Sequence, residues 1–176
     1  MGRKIREILL NRWPIPLSIS PIAELFLFLA ARSQHVGDVI LPALEEGKWV
    51  FCDRFLDATL AYQGFGRGLD IDFIKTLHCF SADSLKPALT ILLDVPVDVS
   101  LKRAMERIAQ SQKEGAALED RFEREEGGMR FHQKIREAYL SIAKEDPKRY
   151  CIIDGSRDIQ TVHKEVCNRL DAFMKR

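Results

Sequence analysis

Along this chain, apolar residues at helical spacing alternate with short, uninterrupted apolar runs. Residues 3–11 carry Ile5, Ile8 and Leu9 on one helical face, and Pro14 and Pro16 end that pattern. Ser20 followed by Pro21 is an N-cap and first-turn signal. From there Ile22, Leu25, Phe26, Leu29, Val36, Val39 and Ile40 keep the helical period, which predicts one long helix stopped by Gly47. Three apolar runs each end in a carboxylate: Trp49–Cys52 before Asp53, Leu89–Leu93 before Asp94, and Tyr150–Ile153 before Asp154. Short apolar runs separated by helical stretches predict buried parallel strands. Leu101, Ala104, Met105 and Ile108 continue as a helix, residues 110–117 are polar and without period, and a further helix runs through Tyr139. The expected architecture is an α/β fold, a parallel sheet flanked by helices, without repeat or linker.

Composition narrows the class. The chain has 176 residues, 46% of them hydrophobic and 30% charged, enough to bury one core as a single domain. Lys plus Arg number 27 and Asp plus Glu 26, and the two signs balance within each half of the chain. That balance argues against a polycationic nucleic-acid arm and against intrinsic disorder. Cys52, Cys79, Cys151 and Cys167 form no CxxC pair, and Cys52 and Cys151 sit where a thiol acts as a small buried hydrophobe. The first twelve residues do not read as a signal peptide, and the longest uncharged stretch, residues 13–23, is too short to span a bilayer. The expectation is a cytoplasmic, reduced protein that binds neither nucleic acid nor membrane.

Ligands of open parallel sheets lie beyond the carboxyl ends of the strands. Asp94 and Asp154 each read as the cap of the loop or helix after its strand. Asp53 stands apart because Arg54 succeeds it, and a guanidinium there offers a planar fork suited to phosphate. Thr59 and Gln63, four apart, put a hydroxyl and an amide on one helical face, the donor and acceptor a pyrimidine edge requires. Gly64, Gly66 and Gly68 are not followed by Gly-Lys-Ser/Thr and are no Walker A loop. Phe28 and Arg32 also share a face, where the ring can stack on a base or join the core, and the guanidinium can bond a base or a phosphate. Arg6 serves as a ligand or as a snorkelling side chain. Arg107 and Arg121 flank a charged segment that is either a solvated loop or a lid over phosphates.

These strings resemble the bacterial thymidylate kinases, nucleoside monophosphate kinases of the P-loop class. The resemblance runs from Gly2-Arg3-Lys4-Ile5-Arg6 through Ala23-Glu24-Leu25 and Phe28 to His35. It continues through Asp53-Arg54, Ala61-Tyr62-Gln63-Gly64, Leu93-Asp94-Val95-Pro96 and Asp120-Arg121-Phe122-Glu123. It implies a P-loop-NTPase-like fold and transfer of phosphate from ATP, with Mg²⁺, to dTMP in a homodimeric enzyme. By resemblance Phe28 stacks on thymine and Arg32 bonds to it, while Thr59 and Gln63 read its edge. Arg6 and Arg54 hold the substrate monophosphate, and Asp53 is a substrate-binding residue beside Arg54. Tyr62 lies near the sugar 2′ position and Tyr139 borders the base pocket. Arg54, Arg107 and Arg121 are the catalytic candidates, the last two in a lid spanning about residues 107–123. Ala58 stands where serine is common, and Ala31 where aspartate is common.

A larger departure is at the front. The family begins with a strand, a Gly-rich loop ending in Gly-Lys-Ser/Thr, a helix and a second strand, a unit of roughly 40–50 residues against about 30 for a minimal crossover. None of these motifs is in the sequence, so the expectation is an amino-terminally incomplete or mis-started thymidylate kinase domain over residues 1–176. The alternatives are a non-catalytic remnant that keeps only the dTMP pocket, and a kinase for another deoxynucleotide.

Overall fold

The computed structural model describes residues 2–10, 19–113 and 128–175. Helix α1 (Gly2–Leu10) buries Ile5 and Leu9 and lies against α2 (Pro21–His35). The Ser20 side chain accepts from the Ala23 N–H at 3.3 Å with Pro21 at the first turn, as the sequence predicts. The predicted single long helix is interrupted. Val36–Ile40 forms a π-turn, in which the Leu41 N–H bonds the Val36 carbonyl, and a short α3 (Leu41–Glu45) comes after it. Pro42 explains the break: it has no N–H to donate and its ring would strike the carbonyl four residues back, which the wider turn relieves. Val39 is consequently exposed rather than on the buried stripe.

Segment 56–66 is helical throughout but changes gauge, with α4 (Leu56–Thr59) passing into a π-helix over Leu60–Gly66. Helix α5 (Ile71–Ser81) starts at an Asp70 cap, whose side chain accepts from the Phe73 N–H at 2.6 Å. Two parallel strands, β1 (Thr90–Asp94) and β2 (Tyr150–Asp154), pair in register from Thr90↔Tyr150 to Asp94↔Asp154. Helices α6 (Val97–Lys113) and α7 (Gly128–Glu145) connect them, and α8 (Ile159–Met174) packs on β2.

The third predicted strand is not formed. Trp49–Cys52 lies outside any ladder, with Trp49 63% and Phe51 75% exposed. An extended run becomes a strand only when a partner accepts its backbone hydrogen bonds, and the described residues provide none beside it. Cys52 is therefore exposed instead of buried, and the same lack of cover leaves Leu93 and Ile152 open on the two strands that do form. The core sits between helices: Leu25 and Leu29 of α2, Leu60, Ile74 of α5, Ile142 and Ala143 of α7, and Tyr150, with Leu92 against them. A second cluster, Ala61 with Phe131, Ile135 and Ala138 of α7, carries Phe28, Tyr62 and Tyr139 on its flank.

Helix α6 stays helical to Lys113, so the first part of the expected lid, about residues 107–123, is helical, and Arg107 lies on its exposed side. The rest of it, including Arg121, lies outside the described residues.

Candidate functional site

That second cluster is the floor of the candidate site. Phe28, Tyr62 and Tyr139 come from α2, the π-helix and α7, and all three rings are partly buried against the same apolar residues. Gly66 makes this approach possible. A Cβ at that position would stand 2.7 Å from Ile135 Cδ1 and 2.9 Å from Phe131 Cε2, so glycine is needed for helix packing and not for a phosphate cradle.

Arg54 is held over this floor. Its backbone adopts φ 65°, the left-handed region that costs a non-glycine residue about 1 kcal/mol or more. The turn places its guanidinium 4.4 Å from the Tyr62 ring centroid. The side chain is open to solvent yet lies between two phenols. Desolvation pulls its pKa down, but Tyr62 and Tyr139 outweigh that and raise it above the ordinary arginine value. Burial pushes the Tyr139 phenol up to about 12, with Arg54 pulling the other way. At neutral pH the site therefore presents a permanent cation beside a neutral phenol. Among the described residues no carboxylate neutralises Arg54 within salt-bridge distance.

Arg32, one turn after Phe28, is fixed differently. One of its nitrogens, Nη2, donates to the Phe55 carbonyl at 3.1 Å and to Thr59 Oγ1 at 2.6 Å. The guanidinium also lies 5.4 Å from the Phe55 ring. Burial pushes its pKa down to about 10, against the opposing charges of Cys52 and Asp57, so it stays protonated near neutrality. Its other terminal nitrogen, Nη1, is buried without a partner among the described residues. Behind Phe55, His78 bonds the Leu85 carbonyl through Nε2 at 3.0 Å, and burial lowers its pKa.

The structure brings Phe28, Arg32, Arg54, Thr59, Tyr62 and Tyr139 into one neighbourhood. Thr59 and Gln63, expected side by side, turn to different partners: Thr59 accepts from Arg32, whereas Gln63 donates to Glu24 Oε1 at 2.7 Å. Asp53 is exposed at the start of the turn. Arg6 lies on α1, but its side chain is outside the described ones. Of the two predicted caps, Asp154 accepts from the Ser156 N–H at 2.9 Å as expected. Asp94 does not cap. It is gripped by Arg136 of α7 at 2.6 and 2.9 Å, and the Arg136 hydrogen bonds hold its pKa below the usual value.

Two charged groups around the site escaped the sequence reading. Arg149, at the head of β2, takes both oxygens of Asp57 at 2.7 and 3.1 Å, and also bonds Thr90 and Asp146. Arg67 takes both oxygens of Glu24 at 3.3 and 3.2 Å. Pairs so far apart in sequence leave no local period to detect.

Known proteins share this arrangement's sequence. The thymidylate kinase family profile matches residues 1–166. The thymidylate kinase of Syntrophus aciditrophicus (strain SB) is 48% identical over 173 residues, covering 98% of this chain and 76% of that protein. That of Desulfovibrio desulfuricans (strain ATCC 27774 / DSM 6949 / MB) is 44% identical over 177 residues, covering 100% and 78%. A thymidylate kinase of Geobacter sp. (strain M21) is 52% identical over 143 residues, covering 81% and 61%. The chain belongs to the thymidylate kinase family, a family of phosphate-transferring enzymes.

Proposed function

We propose that the groove over Phe28, Tyr62 and Tyr139 is the acceptor pocket for dTMP in a kinase that passes the γ-phosphoryl group of ATP to it. The observation that carries this reading is Arg54: a guanidinium fixed over an aromatic ring, open to solvent, and without a carboxylate among the described residues. A dianionic phosphate is the partner such a fork fits. Phe28 stacks on the base, Arg32 meets its edge while Thr59 orients the guanidinium, and Tyr62 lies along the sugar. Tyr139 closes the far side. The family resemblance assigns Arg6 to the monophosphate, Asp53 to substrate binding, and Arg107 and Arg121 to the charge that develops during transfer.

An oxygen of the dTMP phosphate takes the γ-phosphoryl group, ADP leaves, and dTDP forms. Catalysis of this kind is mostly positioning and neutralisation of charge, which Arg54 supplies on the acceptor side. The residues described do not themselves fit a magnesium–triphosphate site. The sequence holds no Gly-Lys-Ser/Thr loop, and among the described residues no three His, Cys, Asp or Glu gather for a metal ion.

The cytoplasm, where dTMP and ATP are dissolved, is the location that goes with this reaction. No described helix is long and apolar enough to cross a membrane. Ile22, Phe26 and Val39, exposed along the α2–α3 stretch, support a homodimer paired through that face.

Calorimetry with dTMP, beside an ATP–Mg²⁺ turnover assay, tests the acceptor reading. Arg54→Ala removes a charge-assisted bond worth about 1.5–3 kcal/mol, so dTMP binding is expected to weaken roughly 10- to 150-fold. A variant that binds dTMP as well as the wild type refutes the pocket, and binding without turnover confines the chain to nucleotide binding.

A further inference from the structure

We infer that His78 is a positioning residue of the pocket: as a neutral imidazole it backs the turn that sets both Arg32 and Arg54, so that nucleotide affinity falls in mild acid. This rests on the acceptor-pocket reading of the groove. His78 lies on α5 and is 2% exposed. A backbone carbonyl only accepts, so Nε2 carries the proton in its 3.0 Å bond to the Leu85 carbonyl. That bond closes a turn in which Asp83 and Ser84 both take left-handed backbone, at φ 50° and 56°, a region that side chains resist. Nδ1 therefore holds the lone pair, buried and without a hydrogen-bond partner among the described residues.

The imidazole meets the Phe55 ring edge-on, with centroids 5.4 Å apart and ring planes at 87°, an arrangement favourable for aromatic pairs. Phe55 is where the two pocket arginines join. Its carbonyl accepts from Arg32 Nη2 at 3.1 Å, its ring centroid lies 5.4 Å from the same guanidinium, and Arg54 precedes it in the chain. The ring is part of a buried cluster with Val36, Ile40 and Ala82, where close packing transmits a displacement rather than absorbing it. A shift of Phe55 therefore reaches Arg32 through a hydrogen bond and Arg54 through one peptide link.

Protonation puts a charged N–H at Nδ1 where nothing among the described residues accepts it, and a buried charge without a partner is costly. The charged groups facing the ring are Arg32 from α2 and Lys86 from the loop after α5, which oppose a further positive charge, and Asp57 from α4, which favours it. Asp57 gives both of its oxygens to Arg149. Burial first, with Arg32 and Lys86, holds the His78 pKa below the ordinary 6.5, against the Leu85 bond and Asp57. The neutral form is complete above that ordinary value and is lost as the pH falls through the lowered folded one. A molecule that takes the proton has to turn or withdraw the ring, and it leaves the binding-competent population.

His78→Gln keeps an amide donor near the Nε2 position and cannot titrate. Calorimetry measures dTMP affinity for the wild type and this variant at about pH 8 and about pH 5. The titration of the dTMP phosphate enters both and cancels in their ratio. Relative to the variant, the wild type is expected to lose a further about three- to tenfold in affinity between those pH values. A ratio that stays constant overturns the inference, whatever the variant does to the melting temperature, and leaves His78 a purely structural residue. Should the variant not fold, an NMR titration of the wild-type His78 ring decides. By linkage, bound dTMP is expected to keep the imidazole neutral to a lower pH, and identical curves with and without dTMP overturn the inference. A wild-type chain that binds no dTMP at about pH 8 removes the acceptor reading, and this one with it.

Discussion

Asp57 and Arg149 carry the sharpest stability prediction. Asp57 lies on α4, between Arg54 and Thr59, and Arg149 immediately precedes β2, 92 residues later. Their side chains are only 11% and 15% exposed, and the guanidinium takes both carboxylate oxygens. Asp57→Ala leaves Arg149 in place with one charge partner removed. Breaking a fully buried pair costs about 3–5 kcal/mol. Arg149 keeps Asp146 at 3.0 Å and Thr90 at 2.9 Å, so about 2–3 kcal/mol is the expected loss. At about 2–4 °C per kcal/mol for a chain of this size, the melting temperature falls by roughly 4–12 °C.

A double-mutant cycle isolates the pair. Arg149→Met alone strands Asp57, whereas the two changes together leave no uncompensated charge between α4 and the sheet. The double variant should therefore lose less than the sum of the singles, with a coupling of about 1–3 kcal/mol. Urea denaturation measures all four corners at one pH. Additive losses, or an Asp57→Ala cost within about 0.5 kcal/mol as for an ordinary surface change, would refute the reasoning.

Asp94 and Arg136 set a pH dependence. The Asp94 pKa is lowered in the fold, so its contribution is present above the ordinary carboxylate range and is lost as the pH falls through the depressed folded value. Melting temperatures of wild type and Arg136→Gln should differ most near pH 6 and converge below about pH 4, and a constant gap across that range contradicts the pairing. Phe26, 51% exposed on α2, tests the homodimer. Phe26→Asp should halve the mass seen in sedimentation equilibrium, and a monomeric wild type or an undisturbed variant rejects that face.

Legibility in the sequence depended on the range of the interaction. The Ser20–Pro21 start, the helix at the front of the chain and the β1 and β2 runs are local signals, and each appears within a residue or so of where spacing and capping place it. The Phe28–Arg32 pair was equally legible, because two residues four apart on a helix share a face whatever they later touch. Thr59 and Gln63 both face α2, as the same rule implies, but α4 widens into a π-helix after Thr59, and spacing alone did not show that one side chain would meet Arg32 and the other Glu24. The Trp49–Cys52 run failed for another reason: hydrophobicity marks a segment that wants cover, while a strand exists only once a neighbouring strand supplies the ladder.

What no periodicity announced is the charge that holds the site. Glu24, Asp57 and Arg67 received no role from the sequence, where a charged residue carries no mark of burial. Burial reverses their meaning, since a carboxylate at 0% exposure needs partners, and those partners sit 39 and 43 residues away. The aromatic floor and the two arginines of the groove could be guessed because each is a local arrangement. Their fixed relation to one another depends on Glu24–Arg67 and Asp57–Arg149, which join α2 to the π-helix and α4 to the sheet. The side chains around the groove thus come from local arrangements of the sequence, and their mutual placement from charged pairs between distant segments.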